Sequence, residues 1–433
     1  MILILVVLIG IFLVLNIVLL IYYSIQNHAN MPSSIYADNN ASTPMSRVSI
    51  DAWIEGVRTA SSNPSSYHFG GRYSRYVLEE KRQELAQLVG CDKSELVFTS
   101  GSTESNNTII HGLVDFFSQA QKEKENEVQK IGVITTPIEH ASVTEPLEEL
   151  EKRGAIKLHI APVHPRSGYI RLDAVESMLK AAQEKGERIR MMCVIVGNNE
   201  TGTLQDMPTI VRLAKEKDIF LHADMTQIVG KYKVNFRELG VDSASFSGHK
   251  FHGPKGVGCL FIRNNRHLNI EAYLRGGKQE MGYRAGTENI ASVCAMVTAL
   301  RGCYRRIEDG EIEMVRKIRD DTLVLLKAYL GEDGFKIFGD PDKGLYNTLC
   351  LGLPVNSRML IQKMNQDGHH IYVNTGCACS QGQGSKVLKA IGASDEDING
   401  SMRISYGFLN RAGDAKSVAK VMTNYVKKLQ EES

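Results

Sequence analysis

The sequence predicts an α/β fold built on a mostly parallel, seven-stranded sheet with helices on both faces. Between residues 96 and 262, seven short apolar runs alternate with segments whose apolar residues have helical spacing. Such alternation is typical of sheets assembled from β-α-β units. Polar, glycine-containing turns follow most of the runs, as expected of a sheet that binds ligands at the carboxyl ends of its strands. The predicted strands are Leu96–Thr99, Gly132–Thr135, Ile156–Ala161, Met191–Val196, Ile219–Ala223, Ser243–Phe246 and Val257–Ile262.

Helices are predicted between these strands, where apolar residues recur every three to four positions. The predicted helices include Thr103–Phe117, Leu172–Ala182 and Met207–Lys217. After Asn289 the pattern changes to one long helical stretch over 290–329, followed by a short apolar run and a further helix. We therefore predict a large domain over 63–289 and a smaller α+β domain formed by 35–62 and 290–433.

The N-terminus is strongly apolar. Residues 1–23 form an almost continuous apolar run, interrupted only by Gly10 and Asn16, and no charged residue precedes Asp38. As a helix this run would measure about 35 Å, enough to cross the ~30 Å hydrocarbon core of a bilayer. We predict an uncleaved transmembrane anchor over 1–23 and a polar linker over 24–34. A cleavable signal peptide is the alternative, although its apolar region is normally shorter and preceded by basic residues.

Charge and cysteine usage exclude several classes of function. Lys and Arg number 51 against 49 Asp and Glu, and the basic residues are scattered, so we expect no nucleic-acid partner. Most of the eight cysteines lie in apolar segments, which indicates buried, reduced thiols rather than a secreted disulfide framework. Only Cys377 and Cys379 are close together, and without a second such pair we predict no metal site.

The most informative stretch is 245–256, in which a lysine follows an apolar strand and precedes a glycine-rich turn. Lys250 can be desolvated there, so that its neutral amine is available for a Schiff base. Asp224 ends the preceding strand, 26 residues earlier. A lysine that bonds the aldehyde and an aspartate that faces the ring nitrogen are the two groups that pyridoxal phosphate requires. Alone, Lys250 would be interpreted as a surface lysine.

Further polar motifs fall at other strand ends. The turn over 98–106 combines glycine with hydroxyl groups before a helix, which favours a phosphate that Thr103 could also contact. An ordinary helix cap is the alternative for this turn. His140 stands where a strand leads into a helix, although a lone histidine is more often a packed or surface residue. Asn199 ends another strand, 25 residues before Asp224.

In their order along the chain, these motifs and the segments 275–289 and 372–384 resemble those of the NifS-type cysteine desulfurases. That family belongs to the pyridoxal-phosphate-dependent class V aminotransferase group. The resemblance runs from the motif 35–44 to the C-terminus. It implies a fold of type I, pyridoxal 5'-phosphate as cofactor, and removal of sulfur from L-cysteine to give L-alanine and an enzyme persulfide. An unidentified acceptor protein would take the sulfur, for iron–sulfur cluster or other thio-cofactor assembly.

The resemblance also implies a role for each matching residue. Lys250 would bond the cofactor and remove the Cα proton, while Asp224 keeps the ring nitrogen protonated and Gln227 approaches the ring hydroxyl oxygen. His140 would stack on the ring and shuttle protons. The residues implied to contact the cofactor are Thr103, His140, Asn199, Asp224, Gln227, Ser247, His249, Lys250 and Thr287.

Three positions carry the implied substrate and subunit contacts. Arg403 would hold the substrate carboxylate together with Asn199. Cys379 aligns with the family's sulfur-accepting nucleophile, and Cys377 is its rival because the loop that follows is short. Thr287 matches a threonine that reaches the phosphate of the neighbouring subunit, which implies a homodimer. A loop that merely closes a domain boundary is the alternative for that segment.

The segment 408–410 departs from the family, because an arginine commonly follows the preceding glycine. With the T-G-C-A-C loop it is similar to molybdenum-cofactor sulfurases. A cofactor sulfurase, a selenocysteine lyase and an aminotransferase therefore remain alternatives, and an inactive membrane-tethered scaffold is the non-enzymatic one. Lysine and arginine are absent near both ends of the anchor, so the positive-inside rule gives no orientation. The cofactor and the reduced thiols favour a catalytic part in the cytosol.

Overall fold

The structure is a computed structural model, and the ranges it describes are 34–122, 131–264, 270–376 and 384–432. The predicted anchor over 1–23, and the predicted linker except for its last residue, lie outside the described residues. Cys377 and Cys379 lie outside them too. Within the described ranges, no helix combines the length and the apolar character that crossing a bilayer requires.

The strands are β1 (Ile35–Tyr36), β2 (Leu96–Thr99), β3 (Ile131–Thr135), β4 (Ile156–Ile160), β5 (Arg188–Ile195), β6 (Phe220–Asp224), β7 (Ser243–Ser247), β8 (Gly258–Ile262), β9 (Lys336–Phe338), β10 (Thr348–Gly352), β11 (Ile371–Tyr372), β12 (Asn374–Thr375) and β13 (Ser401–Ser405). The helices are α1 (Arg47–Thr59), α2 (Phe69–Val89), α3 (Ser102–Lys122), α4 (Ala141–Lys152), α5 (Leu172–Glu184), α6 (Met207–Glu216), α7 (Phe236–Leu239), α8 (Ile290–Glu308), α9 (Glu311–Leu330), α10 (Ser357–Gln366), α11 (Lys386–Ala390), α12 (Asp395–Asn399) and α13 (Ala412–Glu431).

All seven predicted strands form one sheet, in the order β2-β8-β7-β6-β5-β3-β4. Six of them run parallel, and β8 alone among these seven is antiparallel to its neighbours, β2 and β7. The prediction of a mostly parallel seven-stranded sheet is therefore confirmed. Every residue of β2, β3, β6, β7 and β8 is buried, whereas the edge strand β4 exposes Ile160. Helices cover both faces, as continuous apolar strands require.

Local sequence explains where the helices begin and end. His68 accepts a hydrogen bond from the N–H of Gly71 through its ring nitrogen and so caps α2. Gly90 ends the same helix in a left-handed conformation, with φ of 67°, which glycine adopts without strain. Asp206 caps α6, and a proline lies in the first turn of that helix. The sequence predicted α6 over Met207–Lys217, and its end lies one residue from the observed last residue, Glu216.

A second sheet follows the first along the chain. It is antiparallel, has the order β12-β13-β10-β9, and lies beside a short parallel pair of β1 and β11. The helical stretch predicted over 290–329 is two helices, α8 and α9. They are separated at Asp309 and Gly310, where the positive φ of Gly310 (79°) breaks the helical path.

Most buried apolar side chains of the second sheet, α9 and α13 form one cluster, which also includes Ala37 from the N-terminal segment. Most buried side chains of α8 belong instead to the main cluster, next to those of the seven-stranded sheet. Helix α1 packs on α8 at a close approach, where the Cα atom of Ala291 would lie 2.8 Å from a Cβ atom at Gly56. The boundary predicted at residue 289 remains a prediction.

Candidate active site

Lys250 lies in a single turn, Gly248–Lys250, directly after β7. Its ammonium nitrogen donates to the backbone carbonyls of Asn40 and Ala41 at 2.8 and 2.9 Å. Both acceptors belong to the segment 38–43, which we call the N-terminal loop. The amine is therefore held by carbonyl groups and is half-buried at the carboxyl end of the large sheet.

Asp224 ends β6, the strand next to β7, and is buried. Its Oδ1 accepts from the N–H of Thr226 at 3.0 Å, and its Oδ2 accepts from the side-chain amide of Asn106 at 3.3 Å. The Oδ1 of Asn106 lies 2.9 Å from Nε2 of His222, whose Nδ1 lies 2.8 Å from the hydroxyl of Ser243. Burial lowers the pKa of His222 to about 4, so this ring is neutral at neutral pH.

His140 caps helix α4 with its ring. The N–H of Ser142 donates to Nδ1 at 3.1 Å, which requires that nitrogen to be unprotonated. Burial is the main reason why the pKa of His140 is lowered. The charge of Asp224 opposes this shift and the charge of Lys250 adds to it. Both groups therefore act electrostatically on His140, which is neutral at neutral pH with Nε2 as its remaining proton carrier.

The side chain of Gln227 is buried with both ends of its amide engaged. Its nitrogen donates to the carbonyl of Asn40 at 2.9 Å, the same carbonyl that accepts from Lys250. Its oxygen accepts from the ammonium nitrogen of Lys231. Burial lowers the pKa of Lys231 well below its usual value, and the charges of Lys250 and Arg403 lower it further. Sequence reasoning missed both Asn40 and Lys231.

Hydroxyl groups converge at the N-terminus of the 21-residue helix α3. The hydroxyl of Ser247 accepts from the N–H of Ser102 at 2.7 Å, and the two hydroxyl oxygens lie 3.0 Å apart. Thr226 donates to the hydroxyl of Ser102 at 2.7 Å. Gly101 precedes them with φ of 155°, and a Cβ atom there would lie 3.2 Å from the hydroxyl of Ser247. Thr103 is exposed at the same helix start.

His249 precedes Lys250 in the same single turn, Gly248–Lys250. Its Nδ1 is 3.2 Å from the hydroxyl of Ser42, which belongs to the N-terminal loop. Burial first, and then the charges of Lys250, Lys255 and Lys231, lower the pKa of His249 to about 4. The ring is therefore neutral, and it can contact a phosphate only as a hydrogen-bond partner and not as a cation.

Arg403 is buried on β13 and reaches the large sheet from the second one. Its Nη2 lies 2.7 Å from Oδ1 of Asp38, and its Nη1 donates to the carbonyl of Asn199 at 3.1 Å. Its Nε has no hydrogen-bond partner among the described residues. The side chain of Asn198 donates to Ile138 and accepts from its own turn, whereas Asn199 contacts Arg403 through its backbone carbonyl.

Two ion pairs link the glycine-rich segment 275–289 to helices α2 and α3. Glu280 is buried and forms a two-pronged pair with Arg82, both distances being 2.7 Å, and also accepts from the N–H of Phe98. Arg284 pairs with Glu104 at 3.0 Å, one residue from Thr103. Thr287 itself is exposed in this single chain.

The structure thus brings together Lys250, Asp224, His140 and Gln227, with Arg403 beside them. The sequence did not assign a role to Asp38, Asn106 or His222, although Asp38 and Asn106 lie inside motifs that it did single out and His222 lies two residues before Asp224. For His222, a polar residue inside an otherwise apolar strand was the available signal. The candidate nucleophiles, Cys377 and Cys379, lie outside the described residues.

These groups fit pyridoxal 5'-phosphate, since the site offers a strand-end lysine, a buried and fixed aspartate on the next strand, and a hydroxyl-lined helix N-terminus for a phosphate. The unengaged Nε of Arg403 adds a donor for a substrate anion. Fold and site together define a pyridoxal-phosphate-dependent enzyme of fold type I.

Comparison with known proteins identifies the family. Residues 35–418 match the Aminotransferase class-V family, and the chain belongs to it. The cysteine desulfurase IscS of Dictyoglomus turgidum is 32% identical over 92% of this chain and 96% of its own length. The cysteine desulfurase IscS of Methanosarcina thermophila is 31% identical over 94% of this chain and 95% of its own length. A solved NifS-like protein is 30% identical, covers 92% of this chain and 100% of its own, and superimposes with a TM-score of 0.81.

Proposed function

We propose that this protein is a pyridoxal-phosphate-dependent cysteine desulfurase, which converts L-cysteine into L-alanine and leaves the sulfur on an enzyme cysteine. The observation that carries the proposal is the convergence of Lys250, Asp224 and His140, with the buried Arg403 beside them. Relatives named cysteine desulfurase share about a third of the residues over nearly the whole chain. A solved structure described as SspA in complex with cysteine is 26% identical and has a TM-score of 0.68.

The cofactor would be held from three directions. Lys250 would bond its aldehyde carbon, Asp224 would pair with the ring nitrogen, and Gln227 would approach the ring hydroxyl. The phosphate would lie at the start of α3, near Thr103, Ser247 and His249. When bound, pyridoxal phosphate supplies an electron-poor ring that stabilises negative charge at the substrate Cα atom.

The protein groups divide the remaining work. Arg403 and Asn199 bind and orient the substrate carboxylate, and the unengaged Nε of Arg403 gives the guanidinium a free donor for it. Lys250 removes the Cα proton. Neutral His140 carries a proton on Nε2 that it can hand to the product carbon. The thiolate of Cys379 attacks the substrate sulfur, so that a sulfur–sulfur bond forms as the carbon–sulfur bond breaks. Cys377 is the alternative nucleophile.

A homodimer is part of the proposal. Thr287 is exposed in the single chain, as expected of a residue that reaches the phosphate of a neighbouring subunit. Helices α1 and α2 and the segment between them expose several large apolar side chains, and exposed apolar surfaces mark interaction sites. The exposed residues are Val48, Ile50, Trp53, Ile54, Val57, Tyr67, Phe69, Tyr73 and Tyr76. Sedimentation of the purified protein at the mass of a monomer would contradict the dimer.

The proposal also places the protein at a membrane. The apolar run over 1–23 is long enough to span a bilayer and lacks charged residues, which favours a single-pass anchor with the catalytic part in the cytosol. The sulfur acceptor would then be a cytosolic protein engaged in iron–sulfur cluster or other thio-cofactor assembly. Recovery of the full chain in the soluble fraction after cell lysis would contradict the anchor.

Mass spectrometry after exposure to L-cysteine tests the activity and locates the sulfur. We expect one added sulfur on Cys379, stoichiometric release of alanine, and loss of both in Lys250→Ala. Cys379→Ser should abolish the adduct, whereas Cys377→Ser should retain it. The reverse result would assign the role to Cys377.

Two further outcomes separate the alternatives. If Cys379→Ser and Cys377→Ser both still consume amino acid by transamination and neither wild type nor variant acquires sulfur, the protein is an aminotransferase. If the unaltered protein shows neither a visible cofactor band nor any reaction with cysteine, the enzymatic proposal fails.

A further inference from the structure

Arg403, the arginine proposed to bind the substrate carboxylate, already contacts a carboxylate of the protein. Its Nη2 lies 2.7 Å from Oδ1 of Asp38, and its Nη1 donates a hydrogen bond to the carbonyl of Asn199. The side chain of Arg403 is 2% exposed, whereas that of Asp38 is 16% exposed. Asp38 is therefore the more exposed member of the pair.

Asp38 is fixed from two directions. Its Oδ2 accepts a hydrogen bond from the side-chain amide of Asn374 at 3.0 Å. Its backbone forms a parallel bridge with Ser405, two residues beyond Arg403 on the same strand. Because its position is set by β12 and β13 as well as by the N-terminal loop, the carboxylate is built into the fold. It differs in this from the mobile side chain of a surface ion pair, which contacts its partner in only some of its rotamers.

Few other charges act at this point. Burial raises the pKa of Glu200 to about 7, while a hydrogen bond from Ser385 and the charge of Arg403 lower it, so Glu200 is only partly ionised at neutral pH. Burial lowers the pKa of Lys231 well below its usual value, so this lysine carries a charge less readily than an exposed one. Asp38 is thus the carboxylate in direct contact with the guanidinium.

We propose that Asp38 is a positioning residue that takes the place of the substrate carboxylate while the site is empty and thereby limits the affinity of Arg403 for carboxylate ligands. This inference deepens the proposed function and rests on it. A buried guanidinium without an anion is strongly destabilising, and Asp38 prevents that state. An incoming carboxylate therefore gains less binding free energy, because the positive charge of Arg403 is already balanced by Asp38.

The consequence for turnover follows from the chemistry of the two amino acids. Substrate and product both carry the carboxylate that Arg403 recognises, so tight binding of that group would slow release of the product. A protein carboxylate that competes for the same guanidinium keeps the product's dwell time short.

The test measures ligand affinity in the cofactor-loaded enzyme, with alanine and ethylamine as probes. Ethylamine is alanine without its carboxylate. We expect Asp38→Asn to melt at a lower temperature when empty and to bind alanine about tenfold more tightly, a change of about 1.4 kcal/mol. Its affinity for ethylamine should be unchanged. Thermal-shift titration and calorimetry give both constants without turnover.

Three variants serve as controls. Asp38→Glu keeps the charge and should retain the original alanine affinity to within about threefold. Asp397→Asn removes a carboxylate of similar exposure, 14%, from its pair with Lys336, and should leave alanine binding unchanged. Asn374→Ala removes the hydrogen bond to Asp38 and keeps its charge, and should tighten alanine binding about twofold to threefold. It takes the place of Asp38→Asn if that protein does not fold.

The outcomes separate this inference from the proposed function. Unchanged or weaker alanine binding in Asp38→Asn, or in Asn374→Ala used in its place, overturns the role of Asp38 alone. If the unaltered enzyme binds alanine and ethylamine equally well, the carboxylate does not lie at Arg403, and both proposals fail. Parallel changes for the two probes would show a structural effect and would also overturn the role of Asp38.

Discussion

The two halves of the candidate site are built in different ways. Around Asp224, neutral groups of the large domain form a nearly saturated hydrogen-bond network through Asn106 and His222. Around Arg403, charged groups from the N-terminal loop and the second sheet meet, and one donor remains unengaged. The difference teaches that the half that would hold a permanent cofactor is organised for rigidity. The half that would exchange substrate and product retains a hydrogen-bond donor, Nε of Arg403, that no described protein group engages.

Breaking the substrate half should have the largest effect. In Arg403→Lys, a point charge replaces the planar fork, and we expect kcat/KM for cysteine to fall about 100-fold, mostly through KM. Cofactor content, measured by absorbance, should remain unchanged. Arg263→Lys is the control, because Arg263 donates to two backbone carbonyls, those of Val241 and Phe236, outside the candidate site, and its kinetics should be near normal. Similar losses in both variants would contradict a role specific to Arg403.

A substitution in the cofactor half of the site should have a smaller effect, on cofactor affinity rather than on the KM for cysteine. Asn106→Ala leaves Asp224 without one donor and His222 without its acceptor, and we expect cofactor affinity to fall about tenfold. The KM for cysteine should change little. Asn107→Ala is the control, since the side chain of Asn107 bonds only within its own helix. Spectrophotometric titration of the apoprotein measures the affinity, and equal values for the two variants would refute the role of Asn106.

The smallest expected effect is on the pH dependence of stability, and it concerns Glu139, a buried acid next to His140 in the chain. Burial, assisted by the charge of Asp224, raises the pKa of Glu139 to about 8, while hydrogen bonds from Thr136 and Ile195 oppose the shift. A carboxyl group whose pKa is higher in the folded than in the unfolded chain binds its proton more tightly when folded. Its contribution to stability is therefore greatest at low pH and declines as the pH rises from about 4.5 to about 8.

Glu139→Gln should remove this decline. We expect the free energy of unfolding of the unaltered protein to fall over that pH range with a slope of at most about 1.4 kcal/mol per pH unit. Its melting temperature should fall accordingly, and the melting temperature of the variant should not show this additional fall. Glu148→Gln, at an exposed position on α4, should behave like the unaltered protein. Parallel curves for all three proteins would mean that Glu139 is ionised in the folded state.

Much of the large domain could be predicted from sequence, because buried parallel strands have an unmistakable apolar pattern. All seven strands were predicted, and the polar residues at their ends mark the candidate site. The sequence analysis assigned no structural role to the N-terminal loop, although its carbonyls accept hydrogen bonds from Lys250 and Gln227. A backbone carbonyl has no residue-type signature, and contacts between positions some 200 residues apart leave no local pattern. The long helical stretch over 290–329 was predicted as one unit because its break needs only a single glycine.

The N-terminal loop has a practical consequence for any shortened form of the chain. Ser34 and Asp38 are four residues apart, so they are separated by no more than about 14 Å of extended backbone. A cut that removes the apolar run can spare the site, but one that removes ten further residues beyond Ser34 takes away the acceptors of Lys250 and the partner of Arg403. The chain that precedes Ser34 is thus linked, through only four residues, to the loop that contacts Lys250 and Arg403.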